Sequence, residues 1–143
     1  MSLLKKIANK ITDRALACYP DKEKKLIKKH NYIIHYHKHQ ADIHTHGITE
    51  LEQHPELEIR FPLPEDVCQH IFAQVYLLIK DGKRFNDNDY INGIISLPLK
   101  VVHRTGSDNN PTLRILIPDP KHLFPGDLDC TAEYQQQDTT GGN

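Results

Sequence analysis

Histidines are concentrated in one short stretch of the sequence, where their spacing could support metal binding. Five of the ten histidines lie between residues 35 and 46, in two groups that alternate with other residues. Alternate residues of a β-strand face the same side at a spacing of about 7 Å, so two paired strands would line one surface with imidazole rings. Neutral imidazole binds zinc, nickel, copper and iron well. The candidate metal ligands are His35, His37, His44, His46 and His54, and His39 lies on the same predicted strand face as His35.

This stretch allows a metal interpretation and a simpler one. In the metal interpretation, the histidines hold zinc or another divalent transition metal, and Glu56 acts as the general base of a metal-dependent enzyme. No His-Glu-x-x-His signature supports a zinc hydrolase. The interpretation that we favour is a polar strand face without a cofactor, whose rings point outward to water or to another macromolecule.

Carboxylates form two further groups that could do chemistry, and each has a structural explanation. The glutamates near residue 50 are spaced as on a charged outer surface, and strand alternation places Glu58 on the solvent side. The aspartates near residue 127 could bind Ca²⁺ or Mg²⁺ through oxygen atoms, but Asp is common in loops because it bonds to its own backbone. The residues concerned are Glu50, Glu52, Glu56, Glu58, Asp119, Asp127 and Asp129.

Covalent catalysis and phosphate binding have no recognisable motif in this sequence. There is no Gly-x-Ser-x-Gly nucleophile and no glycine-rich phosphate loop. The three cysteines, Cys18, Cys68 and Cys130, are far apart and form no Cys-x-x-Cys pair. We therefore expect reduced thiols rather than a disulfide framework or a thiolate zinc site.

Charge is distributed very unevenly along the 143 residues. Residues 1–40 hold ten Lys or Arg against three Asp or Glu, a net charge of +7, whereas residues 41–143 hold eight against sixteen, a net charge of −8. The basic end could bind nucleic acid, although it has few aromatic residues for base stacking. No apolar run is long enough to cross a bilayer, and the first residues lack a signal-peptide core. The prediction is a cytoplasmic protein without a membrane partner.

The periodicity of the apolar residues predicts a single α+β domain over residues 1–134 and a polar tail over residues 135–143. Two helices precede the strands, and Asn31 is placed to end the second in a left-handed conformation. An amphipathic helix over residues 65–80 is expected to pack on a mainly antiparallel sheet of about five strands. The predicted strands cover residues 32–39, 43–49, 57–61, 94–102 and 113–117.

Several motifs occur in an order that resembles an uncharacterised bacterial family, a domain of unknown function. The chain has His44-Thr45-x-Gly47-Ile48-Thr49 followed by His54-Pro55-Glu56-Leu57, where the family has Tyr-Thr-x-Gly-Leu-Thr and His-Pro-Glu-Leu. Gly82-Lys-Arg-Phe85 and the closing Pro118-Asp119, Phe124-Pro125 and Cys130 are also similar. His44 replaces the usual tyrosine, His46 stands at a usually apolar position, and Gly126 stands where tryptophan is usual. The resemblance implies a small bacterial cytosolic domain, with His54 and Glu56 in structural roles.

The leading functional prediction is a non-enzymatic binding protein. Its concrete form is an intracellular immunity or antitoxin-like protein, whose acidic part meets a basic, toxin-like protein partner through electrostatic complementarity. A metal-binding protein or metal-dependent enzyme is the alternative, and nucleic-acid binding through the lysine-rich helices is a weaker one. The candidate partner-binding residues are Glu50, Glu52, Glu58, Asp127 and Asp129.

Overall fold

The computed structural model describes residues 2–37 and 41–138. Lys38 and His39 at the end of the first predicted strand, Gln40 and the last five residues of the predicted tail lie outside the described residues. The described residues form five α-helices: α1 (Leu3–Ala15), α2 (Asp21–His30), α3 (Ile48–Glu52), α4 (Glu65–Lys80) and α5 (Ala132–Gln135). The strands are β1 (Ile33–His37), β2 (Asp42–His46), β3 (Glu56–Ile59), β4 (Asp89–Ile91), β5 (Leu99–Thr105) and β6 (Pro111–Leu116).

The strands form one six-stranded sheet in the order β1-β2-β3-β6-β5-β4. All neighbouring pairs are antiparallel except the central pair, β3 with β6, which is parallel. This architecture confirms the predicted α+β class. Among the described helices, none is both long and apolar enough to span a bilayer.

Helix α4 covers one face of the sheet and supplies much of the hydrophobic core. Its bounds match the predicted helix, and one side of it is fully buried, including Ile71, Phe72 and Val75. These side chains belong to one cluster with Leu57 of β3 and Leu113 of β6. The alternation of apolar residues along β3 and β6 therefore points one side of each strand at α4.

The opposite face of the sheet is polar over β1, β2, β3 and β6. One row of residues runs across these strands, because His35 pairs with His44, His44 with Glu58, and Glu58 with Arg114. Strand β5 continues the row with Val102, which packs with Leu116 and Phe124 in a small second cluster. The histidines thus stand at one end of a polar row.

Four predicted elements differ from the structure. The strand predicted over residues 43–49 ends at His46, because Gly47 turns the chain with φ +115° and α3 begins at Ile48. The strand predicted over residues 94–102 is β5 (Leu99–Thr105), which begins after Pro98 and is an interior strand of the sheet. β4 (Asp89–Ile91) lies in a segment for which no strand was predicted, so the sheet has six strands rather than about five. Residues 135–138, predicted as the start of a tail, continue the folded domain because Gln137 is fully buried.

Candidate metal centre

The histidine cluster is built by the hairpin of β1 and β2. His35 lies opposite His44, and His37 lies opposite Asp42, so these four side chains and His46 share one face. The other face of β1 carries Ile34 and Tyr36, which pack against the core below α4. Burial of that apolar side fixes the hairpin and turns the imidazoles toward the polar face, as the alternation predicts.

The rings of His35, His44 and His46 lie close together. Their centroids are 4.4 Å apart for His35 and His46, 4.9 Å for His44 and His46, and 5.5 Å for His35 and His44. One ligand atom from each residue lies within 4.8 Å of the other two. The three rings therefore converge on one side of the hairpin.

The distance between two ring nitrogens is close to that of a zinc site. His44 Nε2 and His46 Nε2 are 3.1 Å apart. Two nitrogens bound to one tetrahedral zinc, each at 2.0–2.1 Å, lie about 3.3 Å from each other. A divalent ion could therefore replace the hydrogen bond between these nitrogens with a small movement of the side chains.

Asp42 orients His44 from the other side of its ring. Asp42 Oδ1 lies 3.1 Å from His44 Nδ1, and Asp42 Oδ2 accepts a hydrogen bond of 2.8 Å from Ser107 Oγ. Burial acts to raise the pKa of Asp42, but the hydrogen bonds from His44 and Ser107 outweigh it and lower the pKa to about 2. Because an ionised carboxylate only accepts, the proton lies on His44 Nδ1 and the lone pair of neutral His44 lies on Nε2.

The pKa of His44 is shifted in the opposite direction from those of His35 and His46. The hydrogen bond to Asp42 raises the pKa of His44. Burial, followed by repulsion from neighbouring histidines, lowers the pKa of His35 and His46. His35 and His46 are therefore neutral at pH 7, the form in which imidazole binds a metal.

A second ligand group shares His44 with the first. It consists of His37, Asp42 and His44, whose ligand atoms also lie within 4.8 Å of one another. The rings of His37 and His44 are stacked, with centroids 5.6 Å apart and an interplanar angle of 27°. The two ligand groups together contain four of the five predicted histidine ligands, His35, His37, His44 and His46. In the second group Asp42 and His44 are buried and His37 is exposed.

His54 and Glu56 have structural roles instead. Buried Glu56 accepts hydrogen bonds from the backbone N–H groups of Ile48 and Thr49 and from Thr45 Oγ1, so it caps the start of α3. His54 Nδ1 lies 2.6 Å from the carbonyl oxygen of Pro55, and its ring packs edge-on against Phe85. Neither residue belongs to a ligand group among the described residues.

Glu58 was predicted to face solvent, and the structure shows that it is buried on the polar face of the sheet. It is fully buried and pairs with Arg114, whose Nε lies 2.7 Å from Glu58 Oε1, while Arg60 bonds to Oε2 at 3.2 Å. Arg114 is also fully buried and pairs with Asp138 at 3.1 Å. Strand alternation correctly separated Glu58 from the core face, but the C-terminal residues cover that second face, so it is not solvent there.

Most of the other acidic candidates are occupied by internal hydrogen bonds. Glu50 accepts from Tyr19 Oη at 2.9 Å and Glu52 from Tyr76 Oη at 3.3 Å, while Asp127 accepts from the backbone of Phe124 at 2.8 Å. Asp129 is exposed. Asp119 is buried and accepts from the backbone of Lys121, Leu123 and Thr131, which explains it as the organiser of a loop rather than a calcium ligand.

Sequence reasoning missed Asp42 and Ser107 as members of the site. Asp42 could have been found, since it stands two residues before His44 and therefore shares its strand face. Ser107 lies in the turn between β5 and β6, 65 residues away from Asp42, and no local sequence pattern predicts the contact between them.

No protein-family model, no curated protein and no solved structure matches this chain. The relation to a bacterial family of unknown function, which is based on the motifs between His44 and Cys130, therefore stays a prediction. What the site can do follows from its own geometry.

Proposed function

We propose that this protein binds a divalent transition metal ion through His35, His44 and His46. The observation that carries the proposal is the convergence of the three rings, with two ring nitrogens 3.1 Å apart. Imidazole nitrogens favour zinc, copper, nickel and cobalt over magnesium and calcium. Asp42 supports this role, because a carboxylate on the far nitrogen of a histidine ligand fixes its tautomer and orientation.

A binding role is better supported than hydrolysis. Three protein ligands leave a coordination position for water or for a group of a partner. A hydrolase would also need a general base, and the predicted base, Glu56, is engaged at the start of α3. The proposed role is therefore a metal-binding protein, with the metal-dependent enzyme left without its expected base.

Metal titration of the tag-free protein tests this proposal. Zn²⁺ and Co²⁺ are expected to raise the melting temperature, and the Co²⁺ form is expected to show a visible absorption spectrum. His46→Ala removes one of the three ligands and should weaken both effects. His30→Ala is the matched control, because His30 is an exposed histidine at the end of α2. Fewer than about 0.1 bound ions per chain, with no thermal shift, would contradict the proposal.

A protein partner is the second candidate function, and helix α1 favours it. Four apolar side chains of α1 are exposed: Leu3 by 72%, Leu4 by 79%, Ile7 by 46% and Ile11 by 65%. Lys10 and Arg14 line the same groove as Ile7 and Ile11. A partner with an apolar groove and an acidic rim would complement this surface. An immunity-like role would therefore use α1, rather than the acidic residues that sequence reasoning proposed.

Replacing the apolar side chains of α1 tests this second candidate. Ile7→Ser combined with Ile11→Ser should abolish retention of a defined partner by the immobilised full chain, while circular dichroism and melting temperature stay unchanged. Retention that is equal for the wild type and the double variant would rule out α1 as the contact surface. Leu78→Ser, at an exposed position of α4, is the control.

A further inference from the structure

The two nitrogens of His44 face two different sets of ligand atoms. Nε2 lies 3.1 Å from His46 Nε2, and Nδ1 lies 3.1 Å from Asp42 Oδ1. His35 and His46 form one ligand group with His44, and His37 and Asp42 form the other. One buried imidazole thus separates two sets of ligands, each with two further members.

We propose that His44 bridges two divalent transition metal ions. This inference rests on the proposed function and extends it. One ion binds Nε2 together with His35 and His46, and the second binds Nδ1 together with Asp42 and His37. The second ion takes the place of the proton on Nδ1, which leaves to solvent, so that the ring becomes an imidazolate. Each ion then has three protein ligands, the number found in open zinc and copper sites.

The charges and positions around the second ligand set suit a cation. Asp42 is only 2% exposed, and Ser107 occupies its Oδ2, which leaves Oδ1 directed at His44. The carboxylate and the imidazolate together supply two negative charges, which offset repulsion between two ions that a ring would hold about 6 Å apart, given metal–nitrogen bonds of 2.0–2.1 Å. His37 is exposed, so its side chain can adjust to the ion without disturbing the core.

In a simpler arrangement, Asp42 accepts a hydrogen bond from protonated Nδ1 of His44, and a single ion binds Nε2 of the same ring. The two arrangements differ in stoichiometry and in the contribution of His37. In the simpler arrangement His37 takes no part, because it belongs only to the second ligand group among the described residues. His37→Ala therefore separates the two arrangements, and its exposed position makes it compatible with folding.

The decisive experiment counts ions bound to the full, tag-free chain after loading with Cu²⁺ and gel filtration. Two copper ions per chain are expected, with a copper electron paramagnetic resonance signal that is much weaker than two isolated ions give, because a bridging imidazolate couples their spins. His37→Ala should lower the count to one and restore the signal of an isolated ion. His30→Ala should change neither quantity.

Each other outcome decides a different claim. One ion per chain, lost in His46→Ala and unchanged in His37→Ala, would overturn the bridge and leave the single-ion function intact. Two ions with the full signal of isolated copper would overturn the bridge as well, since the ions would then bind independently. No bound ion would overturn both the bridge and the proposed function.

Discussion

Asp42 shows how a single side chain sets the chemistry of its neighbours. Its carboxylate accepts from His44 Nδ1 and from Ser107, and it is buried where water cannot replace these partners. A charged residue in this position is stabilised by its hydrogen bonds and would be costly without them. The tautomer of His44, and therefore the direction of its lone pair, depends on this one contact.

Replacing Asp42 should change both stability and its pH dependence. The pKa of Asp42 is lowered to about 2, from about 3.9 in an unfolded chain, so its contribution is present above that unfolded value and is lost as the pH falls through the folded one. Asp42→Asn should lower the unfolding free energy by about 1–2 kcal/mol at pH 7. Urea denaturation between pH 2 and pH 7 measures this difference, which should shrink below about pH 4.

Asp81→Asn is the control for this prediction, because Asp81 is exposed at the end of α4. It should leave the unfolding free energy within about 0.5 kcal/mol of the wild type. An equal loss of stability in both variants, or a difference that does not change with pH, would show that Asp42 does not act through its charge.

For single residues, the sequence predicted which histidines form the site better than it predicted the distant residues that contact the polar face. Alternation alone placed four histidines on one face, because a strand has a period of two. It also separated Glu58 from the core face, but nothing local indicated that Arg114, 56 residues further along, would bury it. Contacts between distant residues are fixed by the topology, which a local pattern does not contain.

The connection from β2 to β3 depends on one glycine and one carboxylate. Gly47 has φ +115°, and a Cβ atom there would lie 2.8 Å from Ile27 Cγ2 of α2. Glu56 then caps the first turn of α3. Gly47 lay inside the strand predicted over residues 43–49, because its close packing on α2 cannot be predicted from the local pattern, and α3 was therefore missed.

Gly47→Ala should be considerably more destabilising than a glycine replacement elsewhere. Positive φ costs an alanine about 1 kcal/mol or more, and at Gly47 the clash with Ile27 is added to it. Gly82→Ala is the matched control, because Gly82 has φ +97° with no atom within 4 Å of the new Cβ. The difference in unfolding free energy between the two variants, from urea denaturation, should be at least about 1 kcal/mol.

Equal losses in the two alanine variants would mean that backbone conformation alone explains both costs. In that case Ile27 would have to move aside without loss of packing. The cost of Gly47→Ala in an Ile27→Ala background is a second test, because Ile27→Ala removes both Cγ atoms that the new Cβ would meet. The loss of unfolding free energy caused by Gly47→Ala should be smaller in that background than in the wild type.

For the whole molecule, the C-terminal residues hold the polar face of the sheet together. Gln137 donates to the carbonyl oxygen of Ile117 at 2.8 Å and accepts from its N–H at 2.7 Å. Asp138 pairs with Arg114 and, through two hydrogen bonds of 2.8 Å, with Arg104. Composition indicated a polar tail here, since glutamines next to threonine and glycine give no hydrophobic pattern, and only the sheet register shows what they cover.

Truncation tests how far the folded domain extends. A chain that ends at residue 134 should lose about 3 kcal/mol or more of unfolding free energy, because buried Arg114 keeps Glu58 but loses Asp138 and Gln137. A chain that ends at residue 138 is the control and should melt like the full chain. Equal melting temperatures for both truncated chains would contradict the role given to Gln137 and Asp138.

All ligands of the proposed site come from a single hairpin, within residues 35–46. The central pairing of β3 with β6 joins segments more than 50 residues apart, whereas this hairpin closes over a few residues and can form early in folding. Nascent or denatured chains would then retain part of their affinity for the ion, and the thermal protection that the ion gives would be smaller than its affinity for the native protein implies. Refolding with metal already present should therefore begin from a loaded hairpin, which makes the order of loading and folding a measurable property of this protein.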